Sequence, residues 1–377
     1  MRILVLTHEY PPIGGGGGKV TADICQGLVE RNHQVRILTS HIKGLPLREI
    51  VKGVEIIRLP SIRTEAFRAS LISMAAYISV GFIYAMFMMR SWRPDVIHVH
   101  FAVPAGALAY IISRFLGIPY VLTTHLGDVP GGVPDKTEGW FRWVYPFTPR
   151  IWENAHRIVA VSSYTRELAQ RYYPVNIEVV HNGIDLSQID PGTIEVNTPP
   201  KIVFAGRLVE QKNPLQMVTT LACLKDLDWE CVIIGDGPMR SALEEATNQK
   251  KLEDRILFTG WITPQEVIEW FRKSDILFMP SRSEGLSVAG LQSLGMGLAI
   301  ITTRIGGFVD LIDPGRNGYL LNFNDTEGFC QAFNELLSNP QQLYEFRIAS
   351  RKKAQDFDIK KIVVAYEKIL CETVSQG

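Results

Sequence analysis

The residues of this chain best suited to binding a phosphorylated ligand flank a turn in its second half. In "GRLVEQKNP", Arg207 and Lys212 stand five residues apart directly after a short apolar run. Two cations around one turn can bind a diphosphate. The alternative is that both are surface charges that only face solvent, which is less expected for a turn directly after a buried strand. Farther along, "PSRSEGLSVAGLQSLGMG" places Glu284 just before Gly285, where it either stabilises a helix start or binds a ligand. The sequence therefore predicts a diphosphate site that includes Arg207 and Lys212.

Five consecutive glycines in "YPPIGGGGGKV", residues 10–20, indicate a second anion site near the start of the chain. Glycine loses much conformational freedom on folding, so an ordered run needs a reason beyond that of a linker. The run does not fit the P-loop, because Ile13 and Val20 occupy required positions, and Lys19 or Val20 stands where the dinucleotide pattern needs its third glycine. A helix start lined by bare N–H groups still favours an anion. We expect residues 14–18 to form a loop in which some glycines adopt positive φ, followed by the helical stretch TADICQGLVERN, which begins at Thr21.

Histidines at predicted strand ends are further candidates. His125 and Asp128 follow one strand in "HLGD", and His98 and His100 alternate along another in "HVH". Two histidines alone do not make a metal site, and such residues are commonly held by hydrogen bonds. The acidic triplet DLD at 226–228 precedes a strand and so lies away from the expected ligand face. The sequence therefore predicts no metal site.

Short apolar runs that alternate with helical stretches must position these residues. The runs are RILVLT, QVRILT, VEIIRL, DVIHVH, YVLTT, RIVAV and IEVVH in the first half, and KIVFAG, ECVIIG, DILFMP and LAIITT in the second. Continuous apolar strands are typical of parallel sheets buried on both faces, so we predict a doubly wound α/β fold. Ligands bind at the carboxyl ends of such strands, where both glycine turns stand.

The strand pattern restarts after a polar, proline-bearing segment at 185–200. We therefore predict two Rossmann-like lobes that face each other across a cleft, an N-terminal lobe over 1–186 and a C-terminal lobe over 187–356. The C-terminal helix, about 357–377, is expected to pack back on the first lobe.

Six motifs in order resemble the retaining glycosyltransferases of the GT-B fold, specifically glycosyltransferase family 4. They are the "YPP…GG" start, "NGID", "GR…K.P", "GDGP", "SEG" and "GG..D.I..G.NG". The resemblance covers essentially the whole chain. It implies that the second lobe binds mainly a nucleotide-sugar donor and that the first lobe binds mainly the acceptor.

The resemblance also implies roles for individual residues. The catalytic residues would be His125 near the sugar, Arg207 and Lys212 on the diphosphate, and Glu284 on the sugar. The donor-binding residues would be Gly15, Gly16, Gly17, Gly206, Trp261, Ile262, Gly285, Leu286, Ser287, Val288 and Gln292. The acceptor residues would be His8, Lys19 and Asp128. No metal ion or other cofactor is implied.

Gln292 departs from the family pattern, in which a second glutamate binds the ribose hydroxyls. A glutamine can still accept a hydrogen bond from one hydroxyl through its carbonyl oxygen, but the added strength of a charged acceptor is lost. The departure concerns donor affinity or the choice of nucleotide and leaves the expected fold and reaction class unchanged.

The implied reaction is transfer of a hexose, most often glucose from UDP-glucose in this family, with retention at the anomeric carbon and without a metal ion. The acceptor would be a saccharide or a lipid-linked saccharide in bacterial polysaccharide biosynthesis. Two alternatives remain open at this point. One is a nucleotide-sugar 2-epimerase with the same two lobes, and the other is a two-lobed sugar-binding protein.

Charge and composition bear on partners and location. The net charge is zero, which argues against a dedicated nucleic-acid binder, but residues 1–188 carry 19 basic and 14 acidic side chains. The uncharged segment 69–89 is long enough to span a bilayer, yet its serines, tyrosines and glycine favour a buried or membrane-apposed helix. Five scattered cysteines indicate reduced thiols. We expect a cytoplasmic protein in peripheral contact with an anionic membrane at its inner face.

Overall fold

The computed structural model describes residues 1–66, 69–133 and 141–376, without the side chains of residues 141 and 142. It divides the chain into two compact units. The first unit comprises Met1–Gly183 together with Ile359–Gly377, and the second comprises Ile184–Asp358. Each unit is an α/β sandwich around one sheet, as the strand pattern predicts.

The first unit is built on an eight-stranded sheet in the order β3-β4-β2-β1-β5-β6-β7-β8. Neighbouring strands are parallel except β3 and β4, which are antiparallel. The edge strand β3 lacks an apolar run, so the sequence did not predict it. The strands are β1 Arg2–Leu6, β2 Gln34–Ser40, β3 Arg48–Val51, β4 Val54–Leu59, β5 Val96–His100, β6 Tyr120–Thr124, β7 Arg157–Ala160 and β8 Glu178–Val179.

The second unit is built on a six-stranded parallel sheet in the order β11-β10-β9-β12-β13-β14. Its strands β9, β12 and β13 are buried almost throughout, which explains their continuous apolar sequences. The strands are β9 Lys201–Ala205, β10 Glu230–Ile234, β11 Ile256–Gly260, β12 Ile276–Met279, β13 Ala299–Thr303 and β14 Gly318–Leu321.

Helices connect the strands and cover both faces of each sheet, as doubly wound folds require. In the first unit they are α1 Gly16–Glu30, α2 Leu71–Met88, α3 Ala107–Leu116, α4 Phe141–Val144, α5 Thr148–Glu153 and α6 Ser163–Gln170. In the second unit they are α7 Pro214–Leu221, α8 Arg240–Gln249, α9 Pro264–Arg272, α10 Val288–Gly295, α11 Phe308–Leu311, α12 Thr326–Ser338 and α13 Pro340–Lys353. The last helix, α14 Ile359–Gln376, belongs to the first unit.

The C-terminal helix α14 packs against α1. A side chain at Gly27 of α1 would collide with Val363 of α14, because an ideal Cβ would lie 2.4 Å from a methyl carbon of that valine. At the end of α1, Glu367 of α14 accepts hydrogen bonds from Arg31 at 2.6 Å and contacts His33 at 2.7 Å. The last helix therefore completes the layer of helices on the first sheet.

The glycine run differs from its prediction. Only Gly14 has a positive φ, +91°, and Gly15 is the N-cap of α1, which begins at Gly16. Three of the five glycines thus form the first helical turn, so the expectation of a loop across 14–18 was wrong in its extent. Glycine is a poor helix former, which is why propensity alone placed the helix start later.

The uncharged segment forms α2, the one described helix that is long and apolar enough to cross a membrane by length and composition. Residues spaced by about one turn, Ser73, Tyr77, Gly81 and Ala85, face the core, and the Tyr77 hydroxyl donates a hydrogen bond to the Leu38 carbonyl at 2.9 Å. Only 28% of the helix is buried. Its exposed side chains include Leu71, Ile72, Ile83, Met86 and Phe87.

Candidate active site

An ion pair between Lys212 and Glu284 lies at the carboxyl edge of the second sheet. Lys212 ends a 3₁₀ turn, Glu210–Lys212, that follows β9, and Glu284 lies in the loop that follows the adjacent strand β12. The Lys212 ammonium pairs with Oε1 of Glu284, which also accepts a hydrogen bond from the Ser281 hydroxyl at 2.9 Å. The two side chains are only 17% and 9% exposed. A cation and a carboxylate are therefore held together in a partly desolvated position.

The loops that carry this pair are joined by their backbones. The Arg282 amide donates to the Gln211 carbonyl at 2.8 Å, and the Gln211 side chain donates to the Ser283 carbonyl at 2.9 Å. These bonds fix Lys212 and Glu284 relative to each other although they are 72 residues apart in sequence. Arg207, from the same turn after β9, is exposed.

Two glycine pairs make the close approach of these loops possible. An ideal Cβ at Gly306 would lie 1.6 Å from the Glu284 carbonyl oxygen, and one at Gly307 would lie 2.6 Å from Cα of Leu286. Likewise, a Cβ at Gly235 would lie 2.0 Å from the carbonyl oxygen of Gly206, and one at Gly237 would lie 2.4 Å from that of Leu208. The glycines of the "GDGP" and "GG" motifs are therefore required by backbone packing around the site.

The segment from Gly285 to Val288 leads into α10. Ser287 is the N-cap of this helix, and its hydroxyl accepts a hydrogen bond from the Gly290 amide at 3.2 Å. Leu286 is buried, and Gln292 lies half-buried one turn into the helix. The N-terminal end of α10 gives this edge a positive electrostatic character. Trp261 and Ile262 follow β11 at the same edge, and the Trp261 side chain is 66% exposed.

In the first unit, His8, Phe101 and His125 follow the three adjacent strands β1, β5 and β6. The Phe101 ring stacks on the His125 ring, with 4.3 Å between the centroids and 24° between the planes, and meets His8 edge-on at 5.0 Å. Behind His125, its Nε2 lies 3.4 Å from Nδ1 of His100. The carboxyl edge of the first sheet thus holds a cluster of aromatic rings.

Burial governs the titration of this cluster. Loss of solvation lowers the pKa of His125 to about 4 and that of His98 to about 3, and it lowers the pKa of His100 well below its usual value. All three histidines are therefore neutral near pH 7. His98 contacts the hydroxyl of Thr123 at 3.0 Å.

Asp128 is buried beside His125 and binds backbone amides. Its Oδ2 accepts a hydrogen bond from the His125 amide at 2.8 Å, which closes the turn Leu126–Asp128. Burial raises the pKa of Asp128 to about 7, and hydrogen bonds from the amides of His125, Ala102 and Val103 oppose this rise. The carboxyl group therefore positions the backbone that carries His125.

The other predicted residues of the first unit surround the start of α1. The Glu9 carboxylate accepts a hydrogen bond from the Gly15 amide at 3.4 Å. Lys19 is mostly exposed and pairs with Asp23 one turn later in α1. An ideal Cβ at Gly17 would lie 2.7 Å from Cζ of Phe101. Among the described residues, no group of three or more His, Cys, Asp or Glu side chains is arranged to hold a metal ion.

Two family profiles together match most of the chain. The profile described as Glycosyltransferase Family 4 matches residues 14–188, and the profile described as Glycosyl transferases group 1 matches residues 199–339. The chain belongs to glycosyltransferase family 4. Relatives extend over almost the whole of this glycosyltransferase. An uncharacterized glycosyltransferase of Methanocaldococcus jannaschii is 24% identical over 98% of the chain and 97% of the relative.

Two further relatives have named activities. The N-acetyl-alpha-D-glucosaminyl L-malate synthase of Bacillus anthracis is 25% identical, over 98% of this chain and 97% of the relative. The glycogen synthase of Mycobacterium tuberculosis is 24% identical, over 98% of this chain and 94% of the relative. The relatives share the family, and their names give different reactions.

Solved structures show the GT-B fold. Sucrose-phosphate synthase from Thermosynechococcus elongatus matches with a TM-score of 0.87 and 17% identity over the full length of both chains. The Anabaena protein HepE in complex with UDP and glucose matches with a TM-score of 0.76 and 16% identity, over 99% of this glycosyltransferase and all of HepE. The predicted fold and family are thereby confirmed.

Three residues of the glycosyltransferase contact predicted site residues but were not predicted to belong to the site themselves. Phe101 stacks on His125, Glu9 binds the Gly15 amide, and His100 lies behind His125. His100 was noticed only as half of a possible metal pair. Phe101 stands directly after a predicted strand, a position that could have been searched for ligand-facing side chains. No sequence signal indicates its positive φ of +75°.

Proposed function

We propose that this glycosyltransferase moves glucose from UDP-glucose to a saccharide or lipid-linked acceptor, with retention at the anomeric carbon and without a metal ion. The pathway would be the biosynthesis of a bacterial polysaccharide. The donor diphosphate is assigned to the second unit and the acceptor to the first. Support for a UDP-sugar comes from HepE, whose solved complexes contain UDP, UDP with glucose, or UDP-glucose.

The observation that carries the proposal is the ion pair between Lys212 and Glu284. The ammonium can contact a phosphate oxygen of the donor while the carboxylate accepts a hydrogen bond from a sugar hydroxyl, because the two groups meet at one edge of one sheet. Arg207 and the N-terminal end of α10 add positive character at the same edge.

The departing diphosphate determines what the site must do. The acceptor hydroxyl attacks the anomeric carbon as the bond from that carbon to the phosphate oxygen breaks, and a phosphate oxygen takes the hydroxyl proton. Arg207 and Lys212 stabilise the negative charge that develops on the leaving group. His125 is neutral and can exchange a hydrogen bond with the sugar without adding charge.

A screen of UDP-, GDP- and ADP-sugars tests the donor assignment. We expect thermal stabilisation by UDP and UDP-glucose, and slow release of UDP from UDP-glucose in EDTA. Stabilisation by GDP- or ADP-sugars alone would reassign the donor. Loss of turnover in EDTA with recovery in magnesium or manganese would contradict the metal-independent proposal. Conversion of the donor to an epimer without an acceptor would instead support a 2-epimerase.

We further propose peripheral contact between α2 and an anionic membrane at the cytoplasmic face. Five large apolar side chains of this helix are exposed, an unusual concentration for a soluble surface. The exposed Arg90 and Arg93 follow its C-terminus directly, so apolar and basic side chains occur at one place. This combination suits a helix that lies in the plane of a bilayer surface.

Binding to vesicles tests the membrane contact. We expect the protein to bind vesicles of anionic phospholipid and to dissociate as salt rises, because the Debye length is ~10 Å at 0.1 M. Phe87→Asp should weaken binding, whereas Val364→Asp, which changes an exposed apolar residue of α14, should not. Equal binding by both variants would contradict the assigned surface, and release only by detergent would indicate that α2 spans the membrane.

A further inference from the structure

Phe101 has a backbone conformation that a bulky residue rarely adopts. Its φ is +75° and its ψ is 125°, directly after β5. Two hydrogen bonds hold it there, from the Phe101 amide to the Thr123 carbonyl at 3.1 Å and from the Gly106 amide to the Phe101 carbonyl at 3.0 Å. Strained residues of this kind persist where the surroundings fix them, and they concentrate at functional sites.

The strained backbone directs the Phe101 ring into the space between His125 and the first turn of α1. The ring stacks on His125, meets His8 edge-on, and remains partly exposed. On its other side, its Cζ atom would lie 2.7 Å from a Cβ at Gly17, closer than carbon atoms approach without displacement. The same Cβ would lie 3.5 Å from Cε1 of His125.

The contact between Gly17 and Phe101 explains, without any ligand, why position 17 is a glycine. At Gly15 an added Cβ would meet no atom within 4 Å, so any need for glycine there has to come from the backbone or a ligand. At Gly17 the Phe101 ring already excludes a side chain in the protein alone. The sequence prediction attributed both positions to the approach of the diphosphate.

We infer that Phe101 is a positioning residue that couples the first turn of α1 to the orientation of the His125 ring. The inference rests on the proposed function, in which His125 contacts the sugar. A shift of the α1 turn against Phe101 changes the surface on which His125 stacks. Phe101 acts through these neighbours and forms no bond with a reacting atom.

A double-mutant cycle tests this coupling. Gly17→Ala adds a methyl group against the ring, and Phe101→Leu removes the flat face while making room for that methyl group. We expect each single variant to lower the turnover of UDP-glucose by about tenfold or more, and the double variant to be no slower than Gly17→Ala alone. Multiplication of the two losses would overturn the inference.

The variant Phe101→Tyr tests whether the Cζ end of the ring packs tightly against Gly17. Phe101→Tyr adds one oxygen at Cζ, the atom nearest to the position of a Gly17 Cβ, so it should impair turnover although it preserves the stacked ring. Phe115→Leu, at a phenylalanine of α3 that is 70% exposed, is the matched control and should leave turnover unchanged. Full activity of Phe101→Tyr would contradict the tight contact.

The imidazole resonances of His125 provide a readout that requires no substrate. Phe101→Leu and Gly17→Ala should both shift these resonances, because they remove or displace an aromatic ring stacked 4.3 Å away, whereas Gly15→Ala should not. Unchanged His125 resonances in both variants would overturn the coupling even if turnover fell. Absence of UDP release from UDP-glucose by the wild type would count against the proposed function and not against the packing.

Discussion

At the scale of single residues, the proposal depends most on the ammonium group of Lys212. Its removal by Lys212→Ala leaves the Glu284 carboxylate with the Ser281 hydroxyl but without a cation. We expect kcat to fall by about 100- to 1000-fold, by analogy with the loss of one oxyanion-stabilising donor. Lys250→Ala, at an exposed lysine after α8, is the control. Rates of UDP release for the two variants provide the measurement, and equal rates would remove Lys212 from the mechanism.

At Gln292 we predict a substitution that improves ligand binding. Gln292→Glu restores the charged acceptor that the family usually has, and the residue lies half-buried in the second turn of α10. We expect UDP to bind about 1 kcal/mol more tightly, the difference between a charged and a neutral hydrogen bond. Titration calorimetry with UDP gives the comparison. Weaker binding by the variant would show that this side chain does not face the ribose.

Asp128 should make stability depend on pH in a defined interval. Its pKa is about 7 in the folded protein and 3.8 ordinarily, so between these values the folded state keeps a proton that the unfolded state has lost. Stability from this group is complete below pH 3.8 and decreases towards pH 7, on the order of 1 kcal/mol per pH unit. His125 acts oppositely, since its pKa of about 4 costs stability as the pH falls below 6.5.

The variant Asp128→Asn isolates the carboxyl group, because the histidines titrate in both proteins. The difference in the free energy of unfolding, variant minus wild type, should increase as the pH rises from 4 to 7. Urea unfolding at several pH values measures this difference. A difference that stays constant with pH would mean that the Asp128 carboxyl group titrates alike in both states.

At the scale of elements, the glycines after β13 decide how close two loops can approach. Gly306 and Gly315 both have positive φ, +49° and +75°, so an alanine at either position costs about 1–2 kcal/mol of strain. Only Gly306→Ala also displaces the loop at Glu284, because a Cβ at Gly315 would meet no atom within 4 Å. Both variants should therefore lose thermal stability through strain, and Gly306→Ala should lose more because its Cβ overlaps the loop at Glu284. At a temperature where both variants are folded, we expect a much larger loss of turnover for Gly306→Ala. Equal turnover by both variants would contradict this.

Helices and strands with a strong hydrophobic pattern could be predicted from the sequence. Elements that form because of their surroundings in the fold could not. Strands such as Ile276–Met279 are apolar throughout because both faces are buried, and the parallel α/β fold followed from them. Strand Arg48–Val51 was missed because it lies at a sheet edge and is mostly exposed. The helix that begins at Gly16 was placed too late because glycine has a low helix propensity.

The candidate site shows the same limit. Motifs selected Lys212 and Glu284 separately, one for the phosphates and one for the sugar, but a pairing across 72 residues depends on the order of strands in the sheet. The position of Phe101 against Gly17 depends on a backbone angle that no pattern encodes. The family resemblance therefore identified individual site residues. The contacts between those residues could be described only once the fold was known.

At the scale of the whole molecule, each unit places its predicted residues at the carboxyl edge of its own sheet. In the proposed division of labour, the second unit binds most of the nucleotide. Substitutions such as Phe101→Leu in the first unit should therefore lower turnover with less than a twofold change in UDP affinity. Lys212→Ala in the second unit should lower both turnover and UDP affinity. The pattern depends on both units taking part in one reaction.

The stereochemistry of sugar release tests whether transfer proceeds with retention at the anomeric carbon and without a metal ion. Proton NMR can follow the first minutes of UDP-α-glucose hydrolysis by the wild-type protein in EDTA, before the released sugar equilibrates between its anomers. We expect α-glucose to appear first, together with UDP, and Lys212→Ala to form both far more slowly. Appearance of β-glucose first, or dependence of the reaction on a divalent metal, would contradict it.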